Sequence, residues 1–249
     1  MTDDLGAAWR RLAADRRVVL LDGFHPVKHA LRFGADVPLV VTSDRTAMLA
    51  LAGRLAPDLV ERLDRTARQA SEPALRGLTG TRQHTNVAAL ARRPTFRPAV
   101  TPQKGPTVLL VEPRHLGNVG AVVRVAAGLG AAAVLTTGTV DPWHPDAIRG
   151  SAGLHFAVPT GRIDGAELAQ MPGPLLAVDP RGRDASELKI RDDAVLAFGS
   201  ERSGLPPAVC ERAEHIVSIP MRAGVSSYNL ATSVAMLLYQ WALRAGGGR

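Results

Sequence analysis

The chain has 249 residues, 46% of them hydrophobic, and its 30 lysines and arginines exceed its 23 acidic residues to give a formal net charge of +7. This composition excludes an intrinsically disordered chain, and the length allows one large domain or two modest ones. The single cysteine, Cys210, excludes an intrachain disulfide framework and favours a reducing, cytoplasmic setting. The chain lacks both an apolar run long enough to span a membrane and the apolar core of a signal peptide. The basic balance fits RNA or another polyanion, but a GC-rich genome that favours arginine codons would produce it as well.

The first part of the chain, residues 1–93, alternates short apolar strands with helices. This alternation predicts a smaller α/β layer domain. Helices are predicted over 5–14, 25–33, 49–55 and 57–63, and strands over 18–21 and 37–41. Residues 92–106 hold four prolines and four basic residues with little hydrophobic periodicity, so 94–106 is predicted to be an exposed linker. Its basic residues could instead contact RNA phosphates.

Residues 107–249 are predicted to form a second α/β domain. Strands are expected over 108–111, 132–135, 175–178, 195–198 and 215–219, and helices over 119–129, 206–213 and 229–243. This order predicts a mostly parallel sheet with helices on both faces. Ligands of such sheets bind beyond the carboxyl ends of the strands. Three motifs begin at predicted strand exits, where a binding site is expected.

The first motif, Asn-Val-Gly-Ala-Val-Val-Arg over residues 118–124, begins a predicted helix. Asn118 is a favourable helix cap, and Gly120 keeps the helix slim enough for a ligand or another backbone to approach closely. We expect the side chains of Asn118 and Arg124 to project from the same end of this helix. The alternative is a capped helix with a surface arginine.

The second motif, Phe-Gly-Ser-Glu-Arg-Ser-Gly-Leu over residues 198–205, follows an apolar strand. Gly199 allows the backbone to approach a ligand, and Glu201 is held at the strand exit. The alternative is a surface turn in which Glu201 pairs with Arg202. The following segment, residues 204–207, leads directly into another predicted helix and would define the shape of the loop.

The third motif begins with Ile-Pro-Met at residues 219–221 and ends with Ser-Tyr-Asn at residues 227–229. Gly224 permits a tight turn between the two ends. Ser227 and Asn229 flank the start of a strongly apolar helix, and either could cap it. Because two caps two residues apart are redundant, we expect a second role for one of them.

In this order and at these positions, the three motifs resemble the SpoU (TrmH-type) branch of the SPOUT class of RNA methyltransferases. Residues 149–153, Arg-Gly-Ser-Ala-Gly, are similar to a further segment of that family, with Gly150 replacing the usual alanine. Residues 22–27 resemble the start of the family's N-terminal substrate-binding domain. Residues 84–89 also resemble this domain, although Asn86 replaces a glycine. The resemblance covers most of the chain and is strongest after residue 107.

This resemblance implies a fold and an activity. The C-terminal domain would contain a deep trefoil knot, and the N-terminal domain would resemble ribosomal protein L30e and bind RNA. The family transfers a methyl group from S-adenosylmethionine to a ribose 2′-hydroxyl, and ribosomal RNA is favoured over transfer RNA. A homodimer would complete each active site across its interface, and the final helix carries more apolar residues than packing on one sheet face requires. Neither a membrane nor a metal is expected as a partner.

The resemblance also assigns roles to individual residues. Arg124 would be catalytic, with Asn118, Glu201, Ser227 and Asn229 orienting the arginine, the ribose and the motif loops. Because a guanidinium stays protonated, we expect Arg124 to bind phosphate and stabilise developing negative charge rather than act as a base. The residues implied to contact the cofactor are Gly199, Leu205, Ile219, Met221 and Tyr228. The family usually has leucine where this chain has Tyr228.

Two other functions are compatible with parts of the sequence. A nicotinamide-dependent enzyme would have a similar sheet, but the glycine fingerprint G-x-G-x-x-G is absent from the first motif. A non-catalytic RNA-binding relative would also retain the fold, although the motif residues are intact. His25 and His29 have the four-residue spacing of metal ligands, but no third ligand accompanies them, so no metal site is predicted.

Overall fold

The computed structural model describes residues 2–80, 85–96 and 104–245. The chain folds as two compact units, one comprising Met1–Thr95 with Ala152–Ala157 and the other Phe96–Ser151 with Val158–Arg249. The return of residues 152–157 to the first unit was not predicted from the sequence. Residues 97–103 of the predicted linker lie outside the described residues, as does His84. No helix in the described ranges is long and apolar enough to cross a membrane.

The first unit is built on a four-stranded mixed sheet. Its elements are α1 (Thr2–Ala13), β1 (Val18–Asp22), α2 (Phe24–Arg32), β2 (Leu39–Thr42), α3 (Arg45–Leu55), α4 (Val60–Thr66), β3 (Ala67–Gln69), α5 (Glu72–Thr79) and β4 (Val87–Arg92). The strand order is β1-β4-β2-β3, and β4 runs antiparallel to both of its neighbours. The predicted α/β layering is therefore confirmed. The predicted resemblance to L30e stays a prediction.

Two sequence predictions for the first unit need correction. The helix predicted to begin at residue 49 begins at Arg45, because the Asp44 side chain caps it by accepting a hydrogen bond from the Ala47 N–H at 2.9 Å. Strand β4 was not predicted, since its Val-Ala-Ala-Leu-Ala-Arg sequence lacks strong β-formers. It forms because it is buried between two other strands.

The second unit is built on a six-stranded sheet in which every strand is parallel to its neighbours. Its elements are β5 (Thr107–Leu110), α6 (Leu116–Leu129), β6 (Ala133–Thr136), α7 (Pro145–Gly150), β7 (Thr160–Arg162), α8 (Gly165–Ala169), β8 (Leu175–Asp184), β9 (Val195–Phe198), α9 (Pro207–Arg212), β10 (His215–Ser218) and α10 (Leu230–Ala245). The strand order is β10-β8-β9-β5-β6-β7. The predicted parallel sheet is confirmed, whereas the trefoil knot stays a prediction.

Helices cover both faces of this sheet, as predicted. Val108 and Leu110 of β5 point to one face and share a core cluster with residues of α6 and α10, including Trp241. Leu109 points to the other face, where Leu168 of α8 and Val209 of α9 belong to the cluster. Because successive side chains of a strand alternate between faces, a strand buried on both faces is apolar throughout.

The strand order also determines where a ligand site forms. From β5 the chain proceeds outward to β6 and β7, and it then returns to the other side of β5 to form β8, β9 and β10. The loops after β5 and β9 therefore leave neighbouring strands in opposite directions. A crevice at the carboxyl ends of the strands is the expected result of such a reversal.

Gly120 permits a close crossing of α6 and α7. A Cβ atom at residue 120 would lie 2.3 Å from the Ala147 carbonyl oxygen and 2.9 Å from the Gly150 Cα. The predicted slimness of the helix is thus confirmed, and the neighbour that requires it is another helix backbone. Gly150 contributes to the same crossing, since its Cβ would lie 3.2 Å from the Gly117 carbonyl oxygen.

Candidate active site

A cleft of about 450 Å³ opens in the second unit at the carboxyl ends of β9 and β10 and beside residues 178–180 within β8. Its volume falls within the range of small-molecule sites, roughly 300–1,000 Å³. All three motifs contribute to its wall. The lining residues are His115, Asn118, Val178, Asp179, Pro180, Phe198, Gly199, Ser200, Glu201, Gly204, Ile219, Met221, Ser227, Tyr228, Asn229, Leu230 and Ser233.

Hydrogen bonds between side chains connect the three motifs at one end of the cleft. Asn118 of the first motif donates from Nδ2 to Oε1 of Glu201 in the second motif at 2.8 Å. Asn229 of the third motif donates from Nδ2 to Oδ1 of Asn118 at 3.1 Å. Glu201 also accepts the Arg114 backbone N–H on Oε2 at 3.1 Å. These polar groups hold three separate loops in one arrangement.

The prediction that Asn118 caps α6 is wrong. The helix begins earlier, at Leu116, with His115 in the cap position and no side-chain cap hydrogen bond. Asn118 is the third residue of the helix, and its amide reaches across to Glu201 and Asn229. A carboxylate on a neighbouring loop, which local sequence cannot reveal, therefore determines the orientation of this side chain.

Asn229 fulfils both roles that the sequence suggested for the start of α10. Its Oδ1 accepts the Ala231 N–H at 2.9 Å, which is a helix-capping contact, while its Nδ2 donates to Asn118. Ser227 is exposed and lines the cleft nearby. The predicted second role thus falls to the capping residue itself.

The Glu201 carboxylate is held in its ionised form. Burial acts to raise its pKa, but hydrogen bonds from the Asn118 amide and from backbone N–H groups, including those of Arg114 and His115, outweigh burial and lower the pKa below its ordinary value. In the described part of the chain no ion pair joins Glu201 to Arg202, whose side chain is exposed. The simple surface ion pair considered for this motif is therefore not what the structure shows.

Four of the five residues implied to bind the cofactor line the cleft, namely Gly199, Ile219, Met221 and Tyr228. Gly199 is required by its own loop, because a Cβ there would lie 2.0 Å from the Gly204 carbonyl carbon. The Tyr228 hydroxyl donates to the Pro220 carbonyl oxygen at 3.2 Å. The fifth residue, Leu205, is buried on the sheet face covered by α8 and α9 and does not line the cleft.

With this geometry in place, comparison with known proteins identifies the family. The model of the SpoU rRNA methylase family matches residues 105–239. The chain belongs to this family. Among solved structures, one described as an RNA 2′-O ribose methyltransferase is 30% identical, with a TM-score of 0.73 and coverage of 98% of this chain and 95% of that one. The SpoU methyltransferase AviRb from Streptomyces viridochromogenes, solved with AdoMet, shares the fold at 23% identity, a TM-score of 0.76 and 98% coverage of both chains.

Curated relatives match over different shares of their length. The 23S rRNA (guanosine(2553)-2′-O)-methyltransferase RlmP of Bacillus subtilis is 27% identical in an alignment that covers 93% of each chain. The 23S rRNA (uridine(2479)-2′-O)-methyltransferase of S. viridochromogenes is 29% identical over 57% of this chain and 54% of its own. An uncharacterized tRNA/rRNA methyltransferase of Synechocystis is 33% identical over 53% and 52%. The match thus spans about half the length of the latter two relatives.

Arg124, which the resemblance implies to be catalytic, lies away from the cleft. Arg124 is exposed, it is the ninth residue of α6, and it does not line the cleft. Six residues of α-helix advance about 9 Å along the axis and about 240° around it. The expectation that Asn118 and Arg124 project from the same end of the helix is therefore wrong.

Six lining residues lie outside the three motifs and were not assigned to the site by the sequence analysis: His115, Val178, Asp179, Pro180, Leu230 and Ser233. Asp179 directly follows the predicted strand 175–178, so the rule that ligands bind beyond strand ends could have identified it. His115 precedes the first motif and caps the helix by position alone.

The histidine pair that was considered as a metal site lies in the first unit. His29 donates from Nδ1 to the Ala152 carbonyl oxygen at 2.7 Å, since a carbonyl can only accept. Burial lowers the pKa of His29. The described residues contain no group of three or more His, Cys, Asp or Glu side chains that could hold a metal ion.

Proposed function

We propose that this protein is an S-adenosylmethionine-dependent methyltransferase that modifies ribose 2′-hydroxyl groups of RNA, with ribosomal RNA preferred over transfer RNA. The observation that carries the proposal is the hydrogen-bonded connection of Glu201, Asn118 and Asn229 beside the cleft. Simple packing would not require three polar loops to meet at the carboxyl ends of a parallel sheet. Membership of the SpoU family and the activities for which the relatives are named support the reaction and the RNA class. We expect the protein to act in the cytoplasm.

The chemistry of the cleft fits this cofactor. Val178, Phe198, Ile219 and Met221 supply apolar surface for a flat base, and the ionised Glu201 contributes negative charge. When bound, S-adenosylmethionine supplies an electrophilic methyl group on a positively charged sulfur. A negative cleft wall favours such a cation over neutral competitors.

The polar network would position the reacting ribose. Glu201 fixes the Asn118 amide, and Asn229 fixes it from the other side, so Asn118 cannot rotate freely. Together with Ser227 at the exposed side of the cleft, these groups would orient the 2′-hydroxyl toward the methyl group. Positioning of this kind supplies a large part of the rate enhancement in transfer reactions. Gly199, Ile219, Met221 and Tyr228 would contact the cofactor, and Leu205 would support their loops from the core.

A homodimer would bring Arg124 to a reaction centre. Three large apolar side chains follow helical spacing on the outer face of α10, where Met236, Tyr239 and Leu243 are 38%, 57% and 63% exposed. We expect this face to pack against a second copy, and Arg124 to act in a site completed by that copy, where it binds phosphate and stabilises negative charge. If light scattering shows a monomer at micromolar concentration and that monomer retains full methyl-transfer activity, this assembly is contradicted.

Exposed arginines around the cleft form a surface suited to RNA phosphates. Arg114, Arg202 and Arg222 are exposed, and each is the immediate chain neighbour of a cleft-lining residue. No ion pair among the described residues involves them. Exposed Glu112 is the acid nearest to Arg114 in sequence and reduces the local charge only in part. We call these three residues the arginine rim.

Six basic residues of the first unit lie close together in sequence: Arg10, Arg11, Arg16, Arg17, Lys28 and Arg32. Arg17 pairs with Asp15 at 3.2 Å, Arg32 pairs with Asp58, and Lys28 is buried. Arg10, Arg11 and Arg16 are exposed. We propose that these three carry the RNA contacts expected of the first unit.

Two measurements test the proposed function. Isothermal titration should show that the protein binds S-adenosylmethionine, and mapping of 2′-O-methyl groups in cellular RNA with and without the protein should reveal a site that depends on it. A non-catalytic RNA-binding relative would bind RNA without transferring a methyl group. Binding of nicotinamide cofactors instead would point to the other alternative.

Salt dependence tests the RNA surface. Affinity for RNA falls as salt rises, and each arginine–phosphate contact adds about 1 to the steepness of log affinity against log salt. Replacing all three rim arginines by glutamine should therefore make this dependence shallower by about 3 for duplex-like RNA. Binding of S-adenosylmethionine should stay unchanged. Arg191→Gln is the matched control, because Arg191 already pairs with Asp193 at 2.6 Å near the start of β9, at the opposite end of the strand from the cleft. Equal slopes in the triple variant and the control would contradict the rim.

A further inference from the structure

Asp179 is a carboxylate on the cleft wall that the catalytic network does not use. Val178, the preceding residue, pairs with Phe198 in the parallel register between β8 and β9, so Asp179 stands where the chain leaves that pairing. It lines the cleft, and its side chain is only 12% exposed. A mostly buried carboxylate needs hydrogen-bond partners, and the nature of those partners indicates what it can bind.

Arg181 binds this carboxylate through three hydrogen bonds. Its backbone N–H and its Nε both donate to Oδ1 of Asp179, at 2.9 and 2.8 Å, and its Nη2 donates to Oδ2 at 3.1 Å. The Arg181 side chain itself is 81% exposed. A carboxylate has about four acceptor positions, and three are filled, which leaves one on Oδ2. The hydrogen bonds from Arg181 lower the pKa of Asp179. The carboxylate is therefore ionised, and the remaining position on Oδ2 can accept a hydrogen bond.

The Arg181 pairing also restricts the kind of donor that Asp179 accepts. Because the guanidinium balances the carboxylate charge, the pair is neutral as a whole. A second cation would therefore gain less than it would beside an isolated carboxylate, whereas a neutral hydroxyl still gains a charge-assisted hydrogen bond.

The position of Asp179 within the sheet separates it from the reacting groups. The strand order places β8 two strands from β5, which at about 4.8 Å per strand is about 10 Å. Asn118 follows β5, and Glu201 follows the strand between them. A ligand whose reactive end lay beside Asn118 would therefore place its non-reacting part beside Asp179.

We infer that Asp179 binds the cofactor ribose, with Oδ2 accepting a hydrogen bond from one of its hydroxyl groups, and that Arg181 positions this carboxylate. The inference rests on the proposed function, since it assumes an adenosine-containing cofactor in the cleft. It adds a binding residue that lies in none of the three motifs.

Isothermal titration with three ligands tests the assignment. S-adenosylmethionine and S-adenosylhomocysteine share the ribose and the amino-acid group, whereas 5′-methylthioadenosine keeps the ribose and lacks the amino-acid group. Asp179→Ala should weaken all three by a similar factor of about 10 to 100, because each loses the same hydrogen bond to a charged acceptor. Asp193→Ala is the matched control, since Asp193 forms the same kind of paired contact with Arg191, at 2.8 and 2.6 Å, away from the cleft.

Each other outcome has a defined meaning. Equal affinities in Asp179→Ala and Asp193→Ala would overturn the assignment while leaving the proposed function intact. A loss confined to the two ligands with an amino-acid group would place Asp179 beside the ammonium and would also overturn it. If the wild-type protein binds none of the three, the proposed function fails and the inference with it. Should the alanine variant not fold, Asp179→Asn preserves the side-chain volume and should show the same pattern with a smaller factor, because a neutral oxygen accepts more weakly.

Discussion

Replacing Glu201 by glutamine removes the charge that holds the polar network together. The carboxylate accepts Asn118 Nδ2 at 2.8 Å and the Arg114 N–H at 3.1 Å, one on each oxygen. Glutamine keeps one accepting oxygen but turns an NH₂ donor toward the other donor. The cost is the loss of a hydrogen bond to a charged group, about 1.5–3 kcal/mol. For a domain of this size the melting temperature should fall by about 3–10 °C.

The pH dependence of this loss follows from the lowered pKa of Glu201. A carboxyl group whose pKa is lower in the folded state stabilises the fold above its unfolded-state pKa, close to the ordinary value of 4.5. That stabilisation disappears as the pH falls through the lower folded-state pKa. The difference in melting temperature between wild type and Glu201→Gln should therefore be largest above about pH 5 and should shrink in more acidic buffer.

The rate of methyl transfer should fall as well. Without the carboxylate the Asn118 amide can rotate, and a misplacement of about 1 Å in a positioning group can reduce the rate of transfer about 100-fold. Glu211→Gln is the matched control, because Glu211 is an exposed acid on α9 that does not line the cleft. Methyl transfer to RNA and thermal melting, measured on both variants across pH 4–8, test the argument. A Glu201→Gln protein that melts and turns over like Glu211→Gln would refute it.

Three further substitutions test separate parts of the structure. Arg124→Ala should abolish nearly all methyl transfer while retaining S-adenosylmethionine binding, and Arg124→Lys should also be poor because a point charge cannot reproduce a planar fork; near-normal turnover would exclude the assigned role. Gly120→Ala should destabilise the protein by about 1–3 kcal/mol in chemical denaturation, because the new Cβ would lie 2.3 Å from a carbonyl oxygen of α7. Gly128→Ala in the same helix, where a Cβ would meet no described atom within 4 Å apart from the adjoining helix backbone, should instead stabilise by about 0.4–1 kcal/mol, and equal effects would contradict the close crossing. Asn229→Ala should cost about 1 kcal/mol by removing the cap of α10 and should also slow methyl transfer, so a loss of stability with unchanged activity would limit this residue to capping.

The sequence by itself determined most of the elements and the general position of the cleft, although β3, β4, β7, α5, α7 and α8 were not predicted. Apolar runs such as 108–111 and 195–198 specify buried strands, because a strand covered on both faces must be apolar throughout. The motifs follow such strands, and the carboxyl ends of parallel strands meet at one edge. Local chemistry also predicted that Asn229 could cap α10, since the capping contact spans only two residues.

Only the tertiary structure decided how the side chains of the site are used. The partner of Asn118 is a carboxylate 83 residues away, so its hydrogen bond to Glu201 could not be foreseen from the helix that carries it. For Arg124 the geometry of the helix is decisive, because six residues of helical rotation point its side chain away from that of Asn118. Periodicity is a property of neighbouring residues, whereas the contacts of a site join loops that only the folded sheet brings together.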